Sequence, residues 1–395
     1  MSMMPRRPWI ADEDFLTEEH RALLAREFDT SDPERMLDLR STLPADAVVK
    51  KILFKYDKRP PGGMLNRELR PFIRCAHCKF KRHWRGFVVE LMDDTLALIG
   101  EDCGEDQFGI TFRLVHDDFN AQIAQQKDLR RVMKLRALLR PFADELQGLK
   151  QAVAFAAFDD YLAGLRRFGR LYGVLTEAAQ LKGGLLTYRV IERNLEAEEQ
   201  NARAHPQYKH HQERIAGAQT DFIRRSRVED QKVWLASLPR VEKERVVAVG
   251  KFVGGGIFAM DRDSRLAVDM RAPRALLTQR IDEFMGNRSD YWTSRRLTAA
   301  SKDLQRGVEL LQRALDLLQS LDDFTAATNL ALIADWSQRE VSVPLPRIQY
   351  SVKSSGRQLI DEEDRFDLEL PSTWQMPKLT HLVALAEALG DSGDN

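Results

Sequence analysis

Arg74-Cys-Ala-His-Cys-Lys-Phe-Lys-Arg-His-Trp-Arg-Gly-Phe87 and Ile99-Gly-Glu-Asp-Cys-Gly-Glu-Asp-Gln-Phe-Gly109 contain all three cysteines of this 395-residue chain. Cys75 and Cys78 are two residues apart, a spacing that lets one tight turn aim both thiolates at a single ion. The runs Phe87-Val-Val-Glu-Leu91 and Thr95-Leu-Ala-Leu-Ile99 are short, apolar and parted by Met92-Asp-Asp94, which predicts a β-hairpin. Cys103 then falls where a helix should begin. A helix N-terminus favours a thiolate through its free N–H groups and dipole. Folding the hairpin back brings Cys103 to the turn.

Zinc takes four ligands in a tetrahedron, so three thiolates leave one place to fill. His83, just after the turn, is the first choice. His77 lies inside the turn, where side chains usually point away from the metal, and His116 and Asp102 are further alternatives. A Cys₃His set without an open position holds a structural Zn²⁺, not a catalytic one. Residues 72–112 resemble the treble-clef and zinc-knuckle class: a Cys75-x-x-Cys78 turn, a hairpin, then Gly100-Glu-Asp-Cys103 at a helix start. The resemblance implies a zinc-stabilised fold and no particular activity. Treble clefs usually supply a second cysteine from the helical half, and this chain has none there. A redox CxxC would sit in a thioredoxin-like βαβ context, which the sequence does not provide.

The chain carries 60 basic and 60 acidic residues, but the cysteine region does not share that balance. Residues 50–85 contain twelve Lys and Arg against Asp57 and Glu68, with Phe54, Tyr56, Phe72, Phe80 and Trp84 interleaved. Cations bind phosphates and aromatic faces stack on bases, so this stretch reads as a DNA or RNA footprint, with Arg74, Lys79, Lys81, Arg82, Trp84 and Arg85 as the contacts. The plainer reading is that some aromatics are core and the cations meet acidic helices at the N-terminus.

The rest of the chain reads as mainly helical. Thr17-Glu-Glu-His opens one helix, and Ser31-Asp-Pro-Glu34 is a capping-box pattern for a second. Val48–Tyr56 suits a strand or a short helix. Residues 117–201 have helical periodicity, with a kink or break expected at Pro141 and a break at Gly183-Gly184. The polar stretch 191–227 suits a solvated helix pair or a connector, and 246–260 has strand-like runs. Leu297, Leu304, Leu311 and Leu318 repeat every seven residues, a seam for a coiled coil or for an intramolecular bundle. Val341–Tyr350 alternates like an edge strand, and Leu379–Leu389 reads as a terminal helix.

The fold expectation is therefore mainly α with a small α/β zinc-binding module and an elongated helical bundle or coiled-coil hairpin as its body. The segments are an acidic helical one at 1–45, a basic zinc module at 46–116, a helical body at 117–328 and a mixed end at 329–395. No stretch is apolar enough to span a membrane. Three clustered cysteines do not make a secreted disulfide framework, which points to the cytoplasm. Arginine outnumbers lysine, which points to a bacterial source. No nucleophile elbow, HExxH or dinucleotide fingerprint is present. The histidines of His205–His211, the glycines at 254–256, and the carboxylates of Asp261-Arg-Asp263 and Asp361–Asp364 carry weaker signals. The expected function is non-enzymatic, zinc-stabilised nucleic-acid binding through residues 50–87. A helical assembly protein that docks on other proteins and a metal-dependent, nuclease-like enzyme are the alternatives.

Overall fold

The computed structural model describes residues 8–59, 73–79, 84–149, 153–261, 263–339, 347–351, 356–361 and 364–390. These are mostly helical, with three small sheets. In chain order they are α1 (Asp12–Phe15), α2 (Glu18–Ala25), β1 (Leu39–Arg40), β2 (Val49–Asp57), β3 (Arg85–Leu91), β4 (Leu96–Gly100), α3 (Glu101–Phe108), α4 (Ile110–Leu149), α5 (Ala154–Arg167), α6 (Gly169–Lys182), β5 (Leu185–Arg193), α7 (Leu195–Ala204), α8 (Pro206–Ala216) and α9 (Asp221–Ser237). There follow β6 (Glu242–Lys251), α10 (Leu266–Asp269), α11 (Arg271–Gly286), α12 (Ser294–Thr325), α13 (Ala327–Arg339), β7 (Arg347–Ser351), β8 (Gly356–Asp361), β9 (Asp364–Asp367) and α14 (Thr380–Gly390). The chain divides into two compact units, one of residues 1–150, 271–311 and 378–395, the other of 151–270 and 312–377.

The first unit holds the cysteines. Its sheet has the order β1-β4-β3-β2, parallel only between β1 and β4. Phe87, Val89, Leu91, Ala97 and Ile99 project from one face onto Phe112 and Phe119 of α4, and Val88 and Leu98 from the other onto Tyr56 and Ile73. That alternation is the period-two pattern read from the hairpin sequence. Thr17 caps α2 as expected, its hydroxyl accepting from the N–H of His20 at 3.2 Å. The amide of buried Gln126 on α4 donates to the carbonyls of Leu23 and Arg26, each at 2.8 Å, and so satisfies the C-terminal end of α2.

The Ser31–Glu34 pattern does not start an α-helix. Only a single 3₁₀ turn forms at Pro33–Arg35, with no side-chain cap. The chain on either side is otherwise engaged. Phe28 and Thr30 exchange backbone hydrogen bonds with Lys55 of β2, and Asp38 adopts φ 62°. Pro141 does not break its helix either, because α4 runs through it to Leu149. Leu135, Leu139, Phe142, Leu146 and Leu149 are all buried, and this apolar stripe outweighs the one hydrogen bond that proline removes.

In the second unit the polar stretch 191–227 is mostly helical, made of α7, α8 and the first part of α9, in line with the helix-pair reading, and only residues 191–193 belong to a β-ribbon. β5 pairs antiparallel with β6 from Leu185↔Lys251 to Arg193↔Glu242, and α7, α8 and α9 lie between the two strands. Gly183, at φ 56°, closes α6 where the glycine pair predicted a break. Trp336 of α13 donates to the carbonyl of Thr187 at 2.9 Å. Asn329 both donates to and accepts from the backbone of Val253. The heptad leucines of α12 are all at most 1% exposed within the single chain. Among the described residues no helix is long and apolar enough to cross a membrane.

Two side chains fasten the ends of the first unit to α4. Arg136 is 3% exposed, lies 4.3 Å over the ring of Phe15, and donates to the carbonyls of Ile10 and Phe284 and to Asp12. Replacing it by methionine should strip these carbonyls of their donor and cost about 3–5 kcal/mol in urea unfolding. Glu145 accepts from the N–H groups of Thr380 and His381 and from both side chains, which caps α14. Burial pushes its carboxyl up, but these bonds outweigh burial and hold it below the ordinary value of 4.5. Its stabilisation is therefore complete above that value and lost as the pH falls through the lowered folded pKa. Protection of the α14 amides, taken against their intrinsic exchange rate at each pH, should fall in acid, and Glu145→Gln should flatten that dependence.

Candidate metal centre

The turn that carries Cys75 and Cys78 closes with the N–H of Lys79 on the carbonyl of Cys75 at 3.0 Å, and Lys79 takes φ 58°. Backbone bonds fasten it: Ala76 N–H to the carbonyl of Leu98 at 2.8 Å, and Leu43 N–H to the carbonyl of Ala76 at 3.3 Å. Cys103 comes from the first turn of α3, whose N-cap is Gly100 and whose opening Glu101 and Asp102 suit the positive end of the dipole. Gly104 is needed next to it, since a Cβ there would meet the ring of Phe112 at 2.3 Å. The hairpin register Gly86↔Gly100 sets the start of α3 at the open end of β3.

These constraints bring the sulfurs of Cys75, Cys78 and Cys103 within 4.8 Å of one another, two of them buried and none in a disulfide. Thiolates tetrahedral about one zinc lie roughly 3.8 Å apart, so the three need only a small closure to share an ion. Burial pushes the Cys75 thiol up, but the N–H groups of Gly100, Cys78 and His77 reach its sulfur and bring it below the usual thiol value. Cys103 is pushed up, by burial first and then by its neighbours Cys78 and Cys75. A divalent cation would relieve that crowding of charge and deprotonate the set. The donor set is soft, close and partly dry, and it fits a metal ion.

The expected fourth ligand, His83, lies outside the described residues, as do Lys81 and Arg82. Among the described residues no histidine or carboxylate joins the sulfur cluster, so His77, His116 and Asp102 are not part of it. His116 packs with Phe87 and Phe112, and Asn120 is 3.2 Å from its Nε2.

Tyr56 was not singled out as a site residue. Its hydroxyl is buried and is one of four buried side-chain atoms among the described residues without a hydrogen-bond partner. Burial, then the charges of Cys75, Glu34, Cys103 and Cys78, push its pKa up, so it stays a phenol.

Of the eight described cations of the basic stretch, six are paired. Lys50 bridges Glu90 and Asp94, Lys51 meets Glu90, Lys55 meets Asp29, Lys58 meets Asp32, Arg59 meets Asp57 and Arg85 meets Glu101. Arg74 and Lys79 are exposed and have no carboxylate partner among the described residues, and Trp84 is half-buried. The weaker sequence signals do not assemble a second metal group among the described residues. His205 accepts from the N–H of Gln207 at the start of α8, and His211 stacks on Trp234. Gly254, at φ 76°, opens a 3₁₀ turn. A cleft of about 530 Å³ in the second unit is lined by Asp159, Asp160, Asp263, Arg166 and Arg265, but Asp159 is used to accept from the N–H groups of Leu266 and Ala267.

One metal ion per chain is expected by elemental analysis of the purified protein. Cys75→Ser and Cys103→Ser should each bring that content close to zero. Chelation should speed amide exchange at Gly86 and Gly100, since the cluster ties the turn and α3 to the end of the hairpin.

Comparison of the chain with protein-family models, with curated proteins and with solved structures finds no match.

Proposed function

We propose that the first unit is a binding module in which a zinc ion of treble-clef type, held by Cys75, Cys78, Cys103 and His83, fixes the end of the sheet for contact with nucleic acid. The observation that carries this reading is the position of Arg74 and Lys79. They flank the cysteine turn, are exposed, and have no carboxylate partner among the described residues. Six other cations of the stretch, Arg85 among them, are spent on ion pairs, so the footprint contracts from residues 50–87 to the knuckle itself, with Lys81, Arg82 and Trp84 beside Arg74 and Lys79. Zinc suits a three-sulfur, one-nitrogen set, and such a site without an open position is structural. Free thiols in a cluster suit a reducing compartment such as the cytoplasm.

A second reading has the protein assemble with other proteins through the β5–β6 ribbon and its helices. It is favoured by Phe222, Ile191, Leu195 and Val246, which are 82%, 69%, 64% and 63% exposed. The buried heptad leucines do not serve that reading.

The two readings separate by titration with single-stranded and duplex DNA and RNA over a range of salt. Nucleic-acid binding predicts an affinity that falls as salt rises, and a drop of about tenfold for the double variant Arg74→Ala, Lys79→Ala, with a shallower salt slope. Binding that ignores salt, or that is absent for every form, would move the function to protein assembly.

A further inference from the structure

In the first unit α4 carries Lys127, Arg130 and Arg131 three and four residues apart, so they stand together on one side of the helix. Beside them runs the chain that leads into α12, with Arg288, Arg295 and Arg296. Two links fix these segments to each other. The hydroxyl of Ser294 donates to Asp128 at 2.5 Å, and His20 bridges the two, 2.9 Å from the amide of Gln125 on α4 and 2.8 Å from the hydroxyl of Ser289. Five of the six cations are exposed and Arg131 is half-buried. None of the six has a carboxylate partner among the described residues. Arg296 lies 4.5 Å over the ring of Tyr291 and donates to its carbonyl, and Nε of Arg131 is buried without an acceptor. The acids on the adjoining segments are Asp128, which accepts from Ser294, Asp290, and Glu18 and Glu19 of α2, and none of these pairs with the six.

Folding does not call for this arrangement. Like charges three and four residues apart on a helix repel. Arginines in the first turn of α12 meet the positive end of its dipole, and no acidic residue there offsets them. Elsewhere in the same unit cations are neutralised: Arg136 and Arg140 by Asp12, Arg280 by Asp303.

We infer that this ridge binds the phosphate backbone of a nucleic acid and gives the first unit a contact surface besides the cysteine turn. The inference rests on the nucleic-acid reading and extends it to the helices. What the ridge lacks decides the kind of partner. A membrane surface or a protein partner calls for apolar side chains among the cations. Within residues 127–134 the one large exposed apolar side chain is Met133, which lies on the other side of α4 from Arg131. Phosphate oxygens need only cations and polar hydrogens, and such contacts position a strand without reading its sequence.

The test compares the full chain with two variants, the ridge triple Lys127→Ala, Arg130→Ala, Arg295→Ala and the double Arg74→Ala, Lys79→Ala beside the cysteines. Each is titrated with a fluorescein-labelled duplex DNA and a labelled single-stranded RNA over a range of salt, and separately with vesicles containing phosphatidylserine. The expected result is a loss of nucleic-acid affinity of about tenfold or more in the ridge triple, with a salt slope shallower by about two to three. The triple should melt no lower than the parent, because its three side chains have no ion pair to lose. A lower melting temperature would give these cations a role in folding and overturn the inference. Unchanged affinity and slope in the ridge triple, with weakened binding in the double, would overturn the inference and leave the nucleic-acid reading intact. Weakened binding in the triple alone would uphold the ridge and remove the cysteine turn from the interface. A parent protein that binds the vesicles, or nothing, but neither nucleic acid would overturn the nucleic-acid reading, and this inference with it.

Discussion

The close approach of three sulfurs from two distant points of the chain is the constraint on which the first unit turns. At an effective dielectric near 20, two unit charges 4 Å apart repel by about 4 kcal/mol, so three thiolates cannot gather without compensation. Part of that compensation is local: three N–H groups on Cys75 and a helix N-terminus under Cys103. A bound cation would supply the rest. The same atoms then transmit the constraint outward. The turn is bonded to β4 through Ala76, α3 is set by Gly100, and Gly104 lets α3 close on Phe112 of α4. From α4 the contacts continue to α2 through Gln126, to the N-terminal segment through Arg136, and to α14 through Glu145.

Charge shows why a linear count misleads. Twelve cations against two carboxylates in residues 50–85 is a property of the chain, whereas a ligand meets the folded surface. The parallel bridge between Asp29 and Lys55 brings an acidic stretch alongside β2, and the hairpin turn brings Glu90 and Asp94 to Lys50. Each exposed pair is worth only about 0–1 kcal/mol, so the pairs do little for folding. Their effect is to neutralise cations along the strands, whereas Arg74 and Lys79 beside the cysteine turn have no carboxylate partner among the described residues.

What could be read in the sequence was what is local. The cysteine spacing, the hairpin between the halves of the cluster, the helix start at Gly100 and the cap at Thr17 depend on residues a few positions apart, and each is present. Strand-like runs at 246–260 announced β6, but β5 and its pairing with β6 were hidden, because Leu185 finds its partner at Lys251 and β5 is too solvated to show clean alternation. Ser31–Glu34 carried the right residues for a capping box, but the neighbouring backbone groups were committed to β2. Tyr56 read as one more aromatic in a basic stretch. Only the fold shows that its ring is buried and its hydroxyl unpartnered, since burial of a single side chain depends on the bulge in β2 and on a glycine thirty positions away.

The metal centre is also not a detachable bead on a helical chain. A zinc module ending at residue 116 would stop inside α4, between Phe112 and Phe119, and both of these rings pack on Phe87 of the central strand at centroid distances of 5.9 and 6.2 Å. Phe119 also meets Phe28 at 5.3 Å, which closes the core over β2. The sheet is four short strands, too little to bury a core by itself, and α4 is the surface that completes it. α4 is in turn held along its length by α11 and α14, drawn from residues 271–311 and 378–395 of the same unit. The cysteine cluster and α4 are therefore complementary devices. The cluster gathers the turn and the start of α3 at the open end of the sheet, where backbone pairing stops, and the helix covers the face.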